Sequence, residues 1–365
     1  LPDSSLTVQV PGKLMIAGEF AVLEKYQKLV VTAVNRFVFA TICEGRENRL
    51  SLESFDLNDM EWQYESNTVH IKTNDKRVQF VEEAMTTVYR YLGENHLTPS
   101  PFHLAIRSEL DDVSGRKYGL GSSAAVVTSV VAAMLHQFLP EKPSDSLIFK
   151  LAAIAHVKTQ GSGSGADVAA SSYGGWLEYA SFQADWLKEA YLTADSITEL
   201  VNTDWRYFSA DPLKLPDHIY MCIGWTGSPA STPKLVEKIS ALNKTDSTLY
   251  QQFLTNSEEA VHTFLNGMRY ENSSLIFEGI RKNRHALAEV GKNAGAEIET
   301  PLLKTLCDLA EEHGGAGKPS GAGGGDCGIA FLPSKEQAEH LMEAWKEAGI
   351  QTLDIMSNEA GAIVI

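Results

Sequence analysis

A glycine-rich turn, Lys117-Tyr118-Gly119-Leu120-Gly121-Ser122-Ser123, runs without a break into an apolar stretch, Ala124–Leu135. No other feature of the chain constrains its fold as much. The apolar stretch is about half the ~20 residues a bilayer span requires, so it predicts a helix buried in a protein core. Glycines let consecutive N–H groups turn toward one point, and a following helix adds its free N–H groups and the positive end of its dipole. The plainer alternative is a capped helix after a tight turn, and Ser122 and Ser123 suit either.

Glycine gathers in three other places: Pro11–Glu19, Gly161–Asp167 and Lys318–Asp326. The charge balance decides how to read them. With 47 acidic and 31 basic residues the formal charge is −16. Such a chain is not expected to coat nucleic acid or an anionic membrane. Yet the three main glycine loops each keep a lysine: Lys13, Lys117 and Lys318. Cations saved for glycine loops in an acidic chain predict a triphosphate site.

The loops fit no standard P-loop, G-x-x-x-x-G-K-[ST], and no strand followed by G-x-G-x-x-G with an acidic residue about 20 positions on. Gly121–Ala125 approximates a hydrolase nucleophile elbow, with Asp167 and His218 or His262 following in triad order. That alternative explains neither Lys13 nor the Lys318 loop. A catalytically silent nucleotide sensor is the other alternative, and retention of Lys13 and Asp167 argues against it.

The length of 365 residues favours two domains. Short runs rich in β-branched residues predict strands at Leu6–Val10, Leu29–Ala33, Phe37–Cys43, Arg49–Glu53, Thr68–Lys72, Phe102–Ser108 and Ser172–Tyr179. Helical spacing predicts helices over Val78–Leu92, Ala124–Leu139 and Ser144–Val157. From about residue 218 the texture turns helix-rich, with a strand His218–Trp225, amphipathic stretches between Pro233 and Glu312, a strand Cys327–Leu332, a helix Lys335–Ala348 and final strands near Gln351–Met356 and Ala362–Ile365. The polar stretch Asp185–Asp217 is the expected boundary, giving domains 1–215 and 216–365 of an α+β chain. Cys43, Cys222, Cys307 and Cys327 lack any CxxC or finger spacing and read as reduced thiols of a cytoplasmic protein, with no zinc. No segment resembles a signal peptide.

The motifs Pro11–Leu23 (PGKLMIAGEFAVL), Gly119–Ala125 (GLGSSAA) and Lys318–Ala330 (KPSGAGGGDCGIA), together with Gly161–Ser171 (GSGSGADVAAS), resemble the GHMP kinases in both order and spacing. The resemblance implies an N-terminal α/β domain with a left-handed β-α-β unit and a ferredoxin-like C-terminal domain. It also implies ATP and Mg²⁺ bound over the middle loop. Glu19-Phe20 stands where mevalonate kinases have Glu-His, and His156 stands where they place a glutamate metal ligand. The combination with GWTGSPAST (Gly224–Thr232) is most similar to the bacterial phosphomevalonate kinase branch, which implies 5-phosphomevalonate as acceptor.

The resemblance assigns roles residue by residue. Lys13 and Asp167 are the expected catalytic pair. Lys117, Gly119, Leu120, Gly121, Ser122, Ser123 and Ala124 are expected around the ATP phosphates, with Ser122 and Ser123 as Mg²⁺ ligands. Lys13, Glu19, Ser164, Gly165, Ser320, Gly321, Ala322 and Gly323 are expected on the acceptor side, and Thr226, Ser228 and Ser231 are weaker candidates there. Each has a plainer alternative: a solvated lysine, a capping serine, an Asp167 N-cap, a strand-entry bend at Gly323–Gly325. His156, on an otherwise apolar helix, reads as a core histidine.

Overall fold

The structure is a computed structural model that describes residues 5–110, 118–228 and 232–365. Lys117 and Ser231 lie outside the described residues.

Strand β1 (Ser5–Ala17) pairs antiparallel with β2 (Lys28–Glu44) along most of its length. The register jumps between Pro11 and Gly12 and again before Ala17. The residue pattern predicts the Pro11–Glu19 stretch as a link between strands and β2 as two strands. Instead one bulged ribbon runs through, because a bulge absorbs a proline that cannot donate to a ladder. Lys13 therefore sits on a strand. β3 (Arg49–Leu52), β4 (Leu57–Glu65) and β5 (Thr68–Ile71) follow, then helix α1 (Gln79–Glu94) and β6 (Phe102–Ser108). β3 pairs parallel with β6, so β4, β5 and α1 form the crossover between them. β4 was not anticipated, since its sequence LNDMEWQYE is mostly polar and only Trp62 is fully buried.

Helices α2 (Ser122–Phe138) and α4 (Ala166–Tyr173) pack over β1 and β2, and α3 (Asp145–Gln160) packs on α1, α2 and α4. α2 is apolar around nearly its whole circumference because α1, α3, α4 and the sheet enclose it. The expected strand Ser172–Tyr179 is instead the end of α4 followed by β7 (Trp176–Ala180), the pair Gly174-Gly175 breaking the helix. The polar stretch after it folds as α5 (Ala184–Thr193), α6 (Ile197–Asn202) and β8 (Ser209–Leu213).

The second part contains β9 (Tyr220–Trp225), α7 (Thr232–Thr245), α8 (Ser247–Arg269), α9 (Ser273–Ala294), α10 (Pro301–Glu312), β10 (Ala316–Pro319), β11 (Cys327–Leu332), α11 (Lys335–Glu347) and β12 (Gln351–Leu353). Its sheet has the order β10-β11-β9-β12, antiparallel throughout. With helices between β9 and β10 and between β11 and β12, this is the ferredoxin-like split β-α-β arrangement. The last strand, β13 (Ile363–Val364), returns to the first sheet, whose order is β13-β1-β2-β6-β3-β4-β5 with β7 and β8 branching from β2. One core runs from the first sheet into β9, β11, α8 and α9, and two smaller clusters lie around α7 and α11. No described helix is long and apolar enough to cross a membrane.

Candidate active site

The bulged strand β1 and the turn before α2 are joined twice. The Lys13 N–H donates to the Leu120 carbonyl at 2.9 Å, and the Lys13 ammonium donates to the Gly119 carbonyl at 2.9 Å. Gly12 is needed for this approach, since a Cβ there would lie 2.7 Å from the Leu120 carbonyl oxygen. Gly121, at φ 77°, is the N-terminal cap of α2. A Cβ on Gly121 would meet Lys13 Cγ and Cε at 3.0 Å and Asp167 Cβ at 3.5 Å. Lys13, Gly121 and Asp167, from three separate glycine motifs, thus converge on one point.

The first hydrogen bond of α2 runs from Ala125 N–H to Gly121, leaving the N–H groups of Ser122, Ser123 and Ala124 at an open helix start. Neither serine caps the helix. The Ser123 hydroxyl meets His156 Nε2 at 3.3 Å. His156 is buried and stacks on Phe80, and burial lowers its pKa while Asp167 partly opposes that. His156 is therefore a core histidine with one polar partner, as its helix pattern predicted. The histidines required by a hydrolase triad are elsewhere: His218 bonds Ser273 and His262 bonds Asn266. Beside Ser122 opens a mostly apolar cleft lined by Phe55, Arg77, Val81, Ile106 and Val126.

Asp167 lies in the first turn of α4, and the cap of that helix is Gly165, not Asp167. One Asp167 oxygen accepts from the Val168 N–H at 2.9 Å. Asp167 makes no ion pair with Lys13, whose ammonium turns to Gly119 instead. Ser164 accepts from the Ala166 N–H at 3.3 Å. Beneath this loop stand Tyr179, on β7, and Phe182, just after it, neither of which carries any signal in the sequence of the loop it supports. A cavity of about 550 Å³ borders the same loop at Ser162 and Gly163 and is walled by Leu23, Lys25, Gln183 and Tyr207. Tyr207 has its phenol pKa lowered by Arg206 and Lys25.

The third motif behaves differently from expectation. Lys318 is on β10, fully buried, with its ammonium 2.5 Å from Glu19 Oε1 and 2.6 Å from its neighbour's carbonyl, Pro319 O. It does not serve a triphosphate, because a lysine with no solvent exposure needs a carboxylate partner. Gly321 N–H also turns to Glu19, at 3.3 Å, and the Ser320 hydroxyl donates to the Met15 carbonyl at 2.8 Å. Gly323 and Gly324 press on the Ile298 carbonyl, which accepts the Gly324 N–H at 2.7 Å, and Ala322 packs on the cluster around Phe20. Thr226 and Ser228 hold the backbone of Asp326. The motif thus docks the second sheet onto β1. One group remains unpartnered there, Glu19 Oε2, which is buried without a hydrogen-bond partner; the Asp326 side chain lies against Gly119.

Among the described residues no three His, Cys, Asp or Glu side chains are grouped to hold a metal ion. All four cysteines are free and buried.

Two family models match the two parts of the chain. Residues 79–175 match the GHMP kinases N terminal domain and residues 275–351 match the GHMP kinases C terminal domain. The chain belongs to the GHMP kinase family, whose members use ATP to phosphorylate small molecules. It is 32% identical to a phosphomevalonate kinase of Streptomyces sp. strain CL190, across 94% of this chain and 95% of that one. Among solved structures it resembles Streptococcus pneumoniae phosphomevalonate kinase in complex with phosphomevalonate and AMPPNP, at 27% identity, TM-score 0.84, and 96% and 99% coverage. It also resembles the Lin0012 protein of Listeria innocua, at 38% identity, TM-score 0.93, and 99% coverage of both chains.

Proposed function

We propose that the protein transfers the γ-phosphoryl group of ATP to the phosphate of 5-phosphomevalonate, giving ADP and 5-diphosphomevalonate. The observation that carries the chemistry is the meeting of Lys13, Gly121 and Asp167 beside the open N-terminus of α2. The acceptor follows from the likeness to phosphomevalonate kinases over nearly the whole chain.

The free N–H groups of Ser122, Ser123 and Ala124 and the dipole of α2 take the nucleotide phosphates. The apolar cleft beside Ser122 accommodates the base. Mg²⁺ fits the donors present: the Ser122 hydroxyl caps nothing, and Mg²⁺ needs few protein ligands when nucleotide phosphates supply the others. When bound it screens the charge on the phosphates. Lys13, already aimed at the turn, holds its ammonium where negative charge builds on the leaving ADP oxygen as the phosphoryl group moves to the acceptor. The acceptor oxygen needs no general base, because a phosphomonoester with a second pKa near ~6 is mostly dianionic at neutral pH. Asp167 and Ser164 then orient the acceptor, with Glu19, whose Oε2 has no hydrogen-bond partner, nearby. The four unpaired thiols suit a reducing compartment such as the cytosol.

A coupled ADP-release assay over 5-phosphomevalonate, mevalonate, homoserine and galactose tests the reading. Turnover confined to an unphosphorylated alcohol overturns it.

A further inference from the structure

We propose that Tyr179 is a positioning residue for the reaction: it fixes the Ser164–Gly165 peptide and, through it, the loop that carries Ser164 and Asp167. Tyr179 is fully buried on β7, and its hydroxyl donates to the Ser164 carbonyl at 2.6 Å. That is short for an O–H···O bond between neutral groups. Burial pushes the phenol well above its ordinary pKa, and the charge of Asp167 adds to the effect. Tyr179 therefore stays protonated and remains a donor.

The bond sets a direction. No described peptide is cis, so the Gly165 N–H points opposite to the Ser164 carbonyl, away from Tyr179. The loop cannot tilt to escape this. Gly165 has φ 76°, and a Cβ on it would lie 2.3 Å from Phe182 Cε1 and 3.0 Å from the Tyr179 hydroxyl. The backbone thus rests directly on the two aromatic rings. From there the chain is locked outward: Ala166 N–H bonds the Ser164 hydroxyl and Val168 N–H bonds Asp167. Tyr179 thus holds, by its hydrogen bond, the peptide that leads directly into the turn carrying Asp167.

Strand position explains why a tyrosine does this. β7 pairs with both β2 and β8, so Tyr179 is held from either side, opposite Leu29 and Ala210. The strand is hydrogen-bonded on both edges, whereas Gly161, Gly163 and Gly165 leave the loop with little stiffness of its own. A hydrogen bond from the strand supplies what the loop lacks. Tyr179 touches no reacting atom in this arrangement. Its effect on rate is indirect and falls on the acceptor side only, because the nucleotide turn is fastened separately by Lys13.

The proposal rests on the phosphoryl-transfer reading for the identity of the acceptor, and the test separates the two. Wild-type turnover across the acceptor panel tests the reading. The ratio between Tyr179→Phe and wild type, on whichever acceptor the wild type phosphorylates, tests Tyr179. Expected is a rise of about tenfold in acceptor KM, the equivalent of one lost buried hydrogen bond, with ATP KM within about twofold. Amide exchange should rise at residues 164–167 and stay unchanged at 119–124. Replacement of Tyr179 by 4-aminophenylalanine, which keeps a donor, should restore the acceptor KM, and it carries the test alone if Tyr179→Phe does not fold. Equal changes in both KM values, exchange unchanged at 164–167, or a folded 4-aminophenylalanine protein with a weakened acceptor KM would each overturn the proposal.

Discussion

Lys318 on β10 and Glu19, in the turn after β1, form a fully buried ion pair across 299 residues of sequence, Nζ to Oε1 2.5 Å. It joins the two sheets at the edge of the site, and the same carboxylate oxygen receives the Gly321 N–H. Removing one partner leaves the other charged and buried. Lys318→Met is therefore expected to cost about 3–5 kcal/mol of unfolding free energy. In the Glu19→Gln/Lys318→Met double variant no lone charge remains, so it should be more stable than Lys318→Met alone. Urea denaturation of Lys318→Met, Glu19→Gln and the double variant checks this, and additive losses would mean that the pair is not coupled.

Among the described lysines of the glycine motifs, Lys13 is the one whose side chain lies at their meeting point. Lys13→Met should lower kcat by roughly 10²-fold or more, the scale of losing one transition-state donor. Its two anchors are separable: the backbone bond to Leu120 survives the substitution, so the fold should persist. A folded variant with near wild-type kcat would remove Lys13 from the mechanism.

Motif order made the architecture legible, because each glycine stretch marks a place where the backbone must turn or approach another strand. The buried helix α2, the strands Phe102–Ser108 and Cys327–Leu332, and the tight turn at Gly121 could all be read from residue type. What stayed hidden depends on partners far away in sequence. Lys318 has the same local pattern as Lys13, a lysine within a glycine motif, yet only the fold places Glu19 against it. Tyr179 looks like any aromatic in a half-buried strand until Ser164 is seen above it. β1 hid its length because a proline and a glycine punctuate it, and only pairing with β2 carries the ladder across them.

Gly121→Val tests the nucleotide turn. At φ 77° any side chain is strained, and its Cβ would press on Lys13 at 3.0 Å. ATP affinity and kcat should fall together, since the phosphates and Lys13 share that space, while thermal melting should still show a folded protein. Unchanged nucleotide affinity by titration would reduce the turn to a helix cap.

His156 gives a stability prediction with a definite sign. Burial holds its folded pKa below the ordinary 6.5, so between those values the unfolded chain binds more protons than the native one. Its contribution to stability is present above about pH 6.5 and is lost as pH falls toward the lowered value. His156→Gln removes that titration and keeps a polar group for Ser123. The stability difference between wild type and variant should therefore shrink as pH drops from about 7.5 to about 5, measured by chemical denaturation. A difference independent of pH would show that His156 titrates normally.

Asp167 distinguishes a phosphate acceptor from an alcohol. Its carboxylate is tied to the start of α4 and is not paired with Lys13. It is thus free to orient a substrate or to take a proton from one. With a phosphomonoester acceptor, the acid limb of the kcat/KM profile should follow the second ionisation of the acceptor, near pH ~6. The reacting oxygen has already lost its proton above that pH, so Asp167 does not set the limb. Asp167→Asn should then slow the reaction through weaker orientation of the acceptor and leave the limb in place. With an alcohol acceptor the limb would report Asp167 acting as a base, and it should flatten or vanish in the Asn variant. The measurement is kcat/KM against pH for both proteins at saturating MgATP. A limb that moves on this single substitution contradicts the phosphate-acceptor mechanism and favours proton abstraction from a hydroxyl at the same site.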